Sequence, residues 1–124
     1  MSLILIVEDN DKNMKLARDI LNAKGYDTVE AVTGEDGVKL AKERKPDLVL
    51  MDIQLPGING IEAFKQLRAD PKTARIPVVA LTASVTPTDR SQITAAGFDA
   101  FIGKPINLKE FVETVKRLVE GAKK

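Results

Sequence analysis

Short runs of branched apolar residues recur along the chain, and between them apolar positions fall three and four residues apart. Leu3–Val7 and residues 48–51 and 78–81 are continuous runs rich in Val, Leu and Ile, which predicts parallel strands buried on both faces. Residues 26–32 alternate instead, with Thr28 and Glu30 set against Val29 and Ala31, and belong at a sheet edge. Residues 100–102 make a short fifth strand, placed at the other edge.

Helices fill the gaps. The first spans residues 11–24, with Asn10 as a good N-cap and Gly25 as its stop. The second covers 35–44 and ends before Pro46. The third is Gly60–Ala69, where Asn59 and Glu62 have capping-box spacing and Pro71 follows the end. The fourth is Pro87–Ala96, with Thr86 as cap, Pro87 in the first helical position and Gly97 as stop. The fifth covers 108–120, capped by Asn107 with Glu110 three residues on; Leu108, Phe111, Val112, Val115, Leu118 and Val119 fall on one face. The fourth helix offers only Ile93 and alanines to a core, so it is expected to be the least firmly held. Strand and helix in alternation predict an α/β fold, a doubly wound parallel sheet with right-handed crossovers.

Composition narrows the chemistry. At 124 residues the chain fits one domain with a proper core. The net charge of +1, with both signs interspersed, leaves no basic stripe for nucleic acid. No cysteine is present, which excludes disulfides, thiolate catalysis and cysteine-held metals. No histidine is present either, so any phosphohistidine must come from another protein. No apolar stretch is long enough for a membrane span and the first strand is too short for a signal-peptide core, so a cytoplasmic protein is expected.

Ligands on such sheets bind at the carboxyl ends of the strands. Glu8, Asp9, Asp52, Thr82 and Lys104 all fall at those ends. Taken singly, each has an ordinary explanation: a turn aspartate, an acidic helix start, a strand-end threonine, a loop lysine. Together, in chain order at successive strand ends, they describe a site for a divalent cation and a phosphoryl group. Three clustered carboxylates repel one another, and a hard cation such as magnesium (Mg2+, with Mn2+ as a substitute) relieves that repulsion. Asp9 and Asp52 are candidate direct ligands, the backbone carbonyl of Gln54 a third, and Glu8 a ligand through water. Lys104 is expected to pair with Asp52 at rest. Asp52 is then placed to attack phosphorus and become an aspartyl phosphate without a general base, being ionised already at neutral pH.

The chain resembles the receiver domain of two-component response regulators over essentially its whole length. The resemblance rests on Ile4-Leu5-Ile6-Val7-Glu8-Asp9-Asn10, on Leu50-Met51-Asp52-Ile53-Gln54-Leu55-Pro56-Gly57, on Leu81-Thr82-Ala83 and on Gly103-Lys104-Pro105. Val-Glu-Asp-Asn followed by Asn13, and Met-Asp-Ile-Gln-Leu-Pro, are similar to stand-alone receivers and to those of hybrid histidine kinases. The resemblance implies a flavodoxin-like sheet of order 2-1-3-4-5 with five helices, and residues 1–124 as one receiver domain with no output domain. It implies Asp52 as phosphoacceptor, Glu8 and Asp9 as magnesium holders, and Thr82 and Lys104 as groups that meet the phosphoryl group. It also implies a cis Lys104-Pro105 bond and Phe101 as an aromatic switch coupled to Thr82. The face of the fourth helix, fifth strand and fifth helix would then be remodelled for a downstream protein. Gln54 and Ser84, two residues after Asp52 and Thr82, are expected to tune phosphoryl lifetime.

The donor is expected to be a sensor histidine kinase or a histidine phosphotransferase. It would contact the first helix and the loop after Lys104, through Asn10, Asn13, Met14 and Ile106, although Met14 fits core packing equally well. A receiver excised from a hybrid kinase and a phosphate-independent interaction module are the alternatives; the intact acid, threonine and lysine set argues against the latter. A phosphatase with an aspartyl intermediate would want an acid where Gln54 stands. A flavin site would meet repulsion from Glu8-Asp9-Asn10-Asp11.

Overall fold

The branched apolar runs become five parallel strands: β1 (Leu3–Val7), β2 (Asp27–Ala31), β3 (Leu48–Asp52), β4 (Val78–Thr82) and β5 (Ala100–Gly103). The structure is a computed structural model that describes residues 2–55, 57–82, 87–104 and 106–122, with backbone alone for 87–90 and 122. The strands form one sheet in the order β2-β1-β3-β4-β5. The three central strands are buried almost throughout, while β2 and β5 carry half-buried positions, as edge strands do.

Five helices connect them: α1 (Asp11–Ala23), α2 (Gly34–Arg44), α3 (Gly60–Ala69), α4 (Pro87–Ala96) and α5 (Leu108–Ala122). Alternate strand residues point to opposite faces, so each central strand feeds two cores. Ile4, Ile6, Leu48, Leu50, Val79 and Leu81 pack against α1 and α5 through Leu21, Phe111 and Val115. Leu5, Val7, Val49, Met51 and Val78 pack against α2 and α3 through Val38, Phe64 and Leu67. Among the described side chains of α4, Ile93 is buried and Ala96 packs against the second core.

The caps follow the sequence closely. Side chains of Asn10, Asn59 and Asn107 accept the amides of Asn13, Glu62 and Glu110 at 3.0, 2.9 and 3.1 Å. Gly25 and Gly97 adopt φ of 89° and 100°, the left-handed conformation that ends α1 and α4. Two differences stand out. The second helix begins at Gly34 rather than residue 35, because Thr33 accepts the Asp36 amide at 3.1 Å and is the real cap. Leu108 is 58% exposed, so the buried face of α5 begins one turn later, at Phe111. The proposed Thr86 cap lies outside the described residues.

Candidate functional site

β1, β3, β4 and β5 end side by side, and their last residues or the next ones converge. Asp52 and Thr82 are the final residues of β3 and β4; both remain in the ladder, opposite Leu81 and Gly103. Glu8 follows β1 directly and its amide still donates to Ala31 at 3.0 Å, which keeps it on the sheet. Lys104 follows β5, with its amide donating to the Thr82 carbonyl at 2.8 Å. Regular pairing sets these strand ends side by side, and the side chains of Glu8, Asp52 and Lys104 meet at one spot.

Lys104 Nζ donates to Glu8 Oε2 at 2.7 Å and to Asp52 Oδ2 at 2.9 Å. The outer oxygens are occupied as well: Asn10 N donates to Glu8 Oε1 at 3.1 Å and Gln54 N to Asp52 Oδ1 at 3.0 Å. Glu8 and Asp52 are 1% and 3% exposed, so these bonds offset a substantial desolvation cost. Burial raises the Glu8 pKa; the hydrogen bond from Lys104 opposes the rise and the nearby Asp52 adds to it. Burial alone would lower the Lys104 pKa, but its bonds to Glu8 and Asp52 outweigh burial and hold it above the ordinary value.

Asp9 is exposed and completes an acidic group: one oxygen from each of Glu8, Asp9 and Asp52 lies within 4.8 Å of the others. Three carboxylates, with no histidine in the chain, are a hard donor set suited to Mg2+. The residues present fit that ion.

The structure brings Glu8, Asp9, Asp52 and Lys104 together; Thr82, 2% exposed, ends the neighbouring strand. Phe101 sits half-buried on β5 opposite Ala80. Gln54 reaches Asp52 through its amide while its side chain is exposed. Ser84 and the proline of Lys104-Pro105 lie outside the described residues. The pairing of Lys104 goes further than the sequence reading, which paired it with Asp52 and gave it no bond to Glu8. Glu8 is instead buried and directly bonded, because its amide keeps it in register with β2. Met14 is 5% exposed within the core around α1 and α5, so its packing role prevails over a partner contact. Ile106 packs against the same core.

A parallel sheet of order 2-1-3-4-5 carrying an acidic trio and a lysine at its carboxyl edge is the architecture of the receiver class of signalling domains. The chain belongs to the response regulator receiver domain family, which matches residues 4–116. It is thus a receiver domain of two-component signal transduction. Among curated relatives it is similar to the polar-differentiation response regulator DivK of Brucella anthropi, 46% identical over 96% of this chain and 97% of that protein. Among solved structures it resembles the receiver domain of a sensor histidine kinase from Pseudomonas aeruginosa PAO1, determined with magnesium coordinated in the active site cleft. That structure has a TM-score of 0.90 and 31% identity, covering 96% of this chain and 98% of the other. It also resembles the receiver domain of a signal transduction histidine kinase from Syntrophus aciditrophicus (TM-score 0.91, 32% identity, 98% and 92% covered). Among the described residues no helix is long and apolar enough to cross a membrane.

Proposed function

We propose that this chain is a phosphoacceptor response regulator that takes a phosphoryl group from a phosphohistidine onto Asp52 and signals by protein contact. The observation that carries this reading is the ammonium of Lys104 bridging Glu8 and Asp52 beside a third carboxylate, Asp9. The Asp52 carboxylate attacks phosphorus, the N–P bond of the donor breaks with its electron pair going to the imidazole nitrogen, and that nitrogen takes up a proton from solvent. Glu8, Asp9, Asp52 and the Gln54 carbonyl would hold Mg2+, which supplies charge neutralisation at the phosphoryl oxygens. Lys104 stays near enough to Asp52 to meet a phosphoryl oxygen, and Thr82 supplies a hydroxyl from the adjacent strand end. Gln54 and Ser84, two residues after Asp52 and Thr82, tune the rate of autodephosphorylation.

Signalling follows as a population shift, with Thr82 and Phe101 as the coupled pair and the α4–β5–α5 face as the output surface for a downstream protein. Moving a domain from mostly inactive to mostly active needs roughly 5 kcal/mol of differential binding, the scale of several charge-assisted bonds. The donor is a sensor histidine kinase or histidine phosphotransferase in the cytoplasm, and the output involves neither nucleic acid nor membrane. Full-length coverage of the DivK relatives supports a stand-alone regulator. The likeness to two kinase receivers supports the second reading, a receiver module of a hybrid histidine kinase.

The test is incubation with Mg2+ and acetyl phosphate, followed by intact mass. One phosphoryl group is expected, stable in acid and labile in base, and absent in Asp52→Asn. Label that persists in that variant overturns the assignment.

A further inference from the structure

The first residue of α3 touches the backbone of Asp52. Gly60 is buried, and a β-carbon built on it would overlap the Asp52 carbonyl oxygen and lie 2.9 Å from the Asp52 carbonyl carbon and 2.8 Å from Ile53 Cα. All three are backbone atoms, so no side chain can swing aside. Neither partner is free to retreat. The Ile53 amide donates to the Leu81 carbonyl at 2.9 Å, which ties the Asp52–Ile53 peptide to β4. The Gly60 amide donates to the Ile53 carbonyl at 2.9 Å, which ties α3 to the same segment. Further along α3, Phe64 and Leu67 are each 1% exposed and hold the helix on the sheet.

The loop between β3 and α3 is gripped at its other end too. A β-carbon on Gly34, the first residue of α2, would stand 2.9 Å from the Ile58 carbonyl oxygen. The segment that supplies the Gln54 amide to Asp52 Oδ1 is therefore clamped between the first residues of two helices. We infer that Gly60 is a positioning residue: its missing side chain lets α3 seat directly on the Asp52–Ile53 peptide, fixing the direction of the Asp52 carboxylate and its bond to the Gln54 amide. This inference rests on the reading of Asp52 as phosphoacceptor. A displacement of about 1 Å at a reacting group costs on the order of a hundredfold in rate.

The experiment compares Gly60→Ala with Leu67→Ala, which loosens the same helix one turn or more from the site. Three readouts are taken: the NMR amide resonance of Gln54, the Mg2+ affinity by calorimetry, and the acetyl phosphate labelling rate at saturating Mg2+. For Gly60→Ala the expected results are a displaced Gln54 resonance, Mg2+ affinity weakened about tenfold, and labelling about a hundredfold slower. Leu67→Ala is expected to lower the melting temperature yet keep affinity and rate within about twofold, since its loss is one of packing. Wild-type labelling and an unmoved Gln54 resonance in Gly60→Ala overturn the inference, as does an equal loss in Leu67→Ala. Where Gly60→Ala does not fold, Gly34→Ala presses the same loop from its far end. It should displace Gln54 and slow labelling several-fold, and an unchanged variant again overturns the inference. Absence of label in the wild type would refute the phosphoacceptor reading, while the Gln54 resonance and Mg2+ titration still judge Gly60.

Discussion

Removing the Lys104 ammonium, in Lys104→Met, would leave two buried carboxylates facing each other. Glu8 Oε2 and Asp52 Oδ2 both lose their cation, at 2.7 and 2.9 Å, while the stem of the side chain is roughly conserved in volume. Breaking a buried ion pair from one side costs about 3–5 kcal/mol. The Lys104 side chain is 13% exposed and Asp9 opens the site to solvent, which argues for the lower end, about 3 kcal/mol. At about 2.1 cal/mol/K per residue, a chain of this length loses about 4 °C per kcal/mol, so the expected drop is about 12 °C.

Mg2+ should act on the variant in the opposite direction. At one hundred times its Kd a ligand contributes about 2.7 kcal/mol to stability. In the variant the ion meets the same carboxylates without a competing ammonium, so its affinity should rise by about tenfold or more, a further 1.4 kcal/mol. The chain has no tryptophan, so the assay is far-UV circular dichroism during heating at pH 7, with EDTA and with saturating Mg2+. Two results would refute the reasoning: a variant that melts in EDTA within about 3 °C of wild type, or an equal Mg2+ increment in both proteins. The variant should also regain stability in mild acid, because loss of the Lys104 hydrogen bond removes the influence that holds the Glu8 pKa down.

Two further outcomes can be measured. Burial, resisted by Lys104 and reinforced by Asp52, raises the Glu8 pKa above its ordinary 4.5, so the folded domain binds the extra proton in the window above 4.5. Metal-free stability should therefore fall as pH rises through that window, and calorimetric Mg2+ affinity should weaken as pH falls through it; affinity that is flat down to pH 4.5 would contradict this. On the other end of the sheet, Arg68 donates to the Ile76 carbonyl at 2.6 Å and to Asp99 Oδ2 at 2.7 Å, and the same oxygen accepts the Val78 amide at 2.8 Å. A urea double-mutant cycle with Arg68→Met and Asp99→Ala should give a coupling of about 1 kcal/mol. Asp99→Ala alone should cost about 2 kcal/mol, because the Val78 amide loses its acceptor; additive losses would show the pair to be uncoupled.

The sheet was legible because its strands are buried on both faces, and the branched apolar runs at 3–7, 48–51 and 78–81 have no other economical home. The three asparagine caps were legible because capping is local, decided within four residues. The acidic residues and the lysine were legible as strand-end residues, since chain order in a parallel sheet already puts strand ends together. Contacts decided by distant parts of the chain were not. The Lys104–Glu8 bond joins residues 96 apart, and the Arg68–Asp99 pair joins residues 31 apart. The stacking of Phe64 on Phe98, with centroids 4.1 Å apart, leaves no periodic trace either. Met14 shows the converse: its helical spacing suited a core or a partner equally, and only the packed structure decides for the core.

On the proposed reading, the charges at the site tie metal and phosphodonor to one event. Glu8, Asp9 and Asp52 with Lys104 carry a formal charge of −2 when all are ionised. A phosphoryl donor is itself anionic, and the field at the mouth of the site would repel it. A divalent cation brings the formal charge to zero, and the aspartyl phosphate then replaces one carboxylate charge with about two. The product is left with about one net negative charge, Lys104 already included, and the ammonium offsets the doubled charge on Asp52 best from within hydrogen-bonding distance. On the proposed reading, then, the lysine does successive jobs from one position: it holds two carboxylates together before the cation arrives and draws the phosphoryl oxygens inward afterwards. A tether on Glu8 as well as Asp52 is what the first job requires, and that is the bond local sequence patterns had no means of revealing.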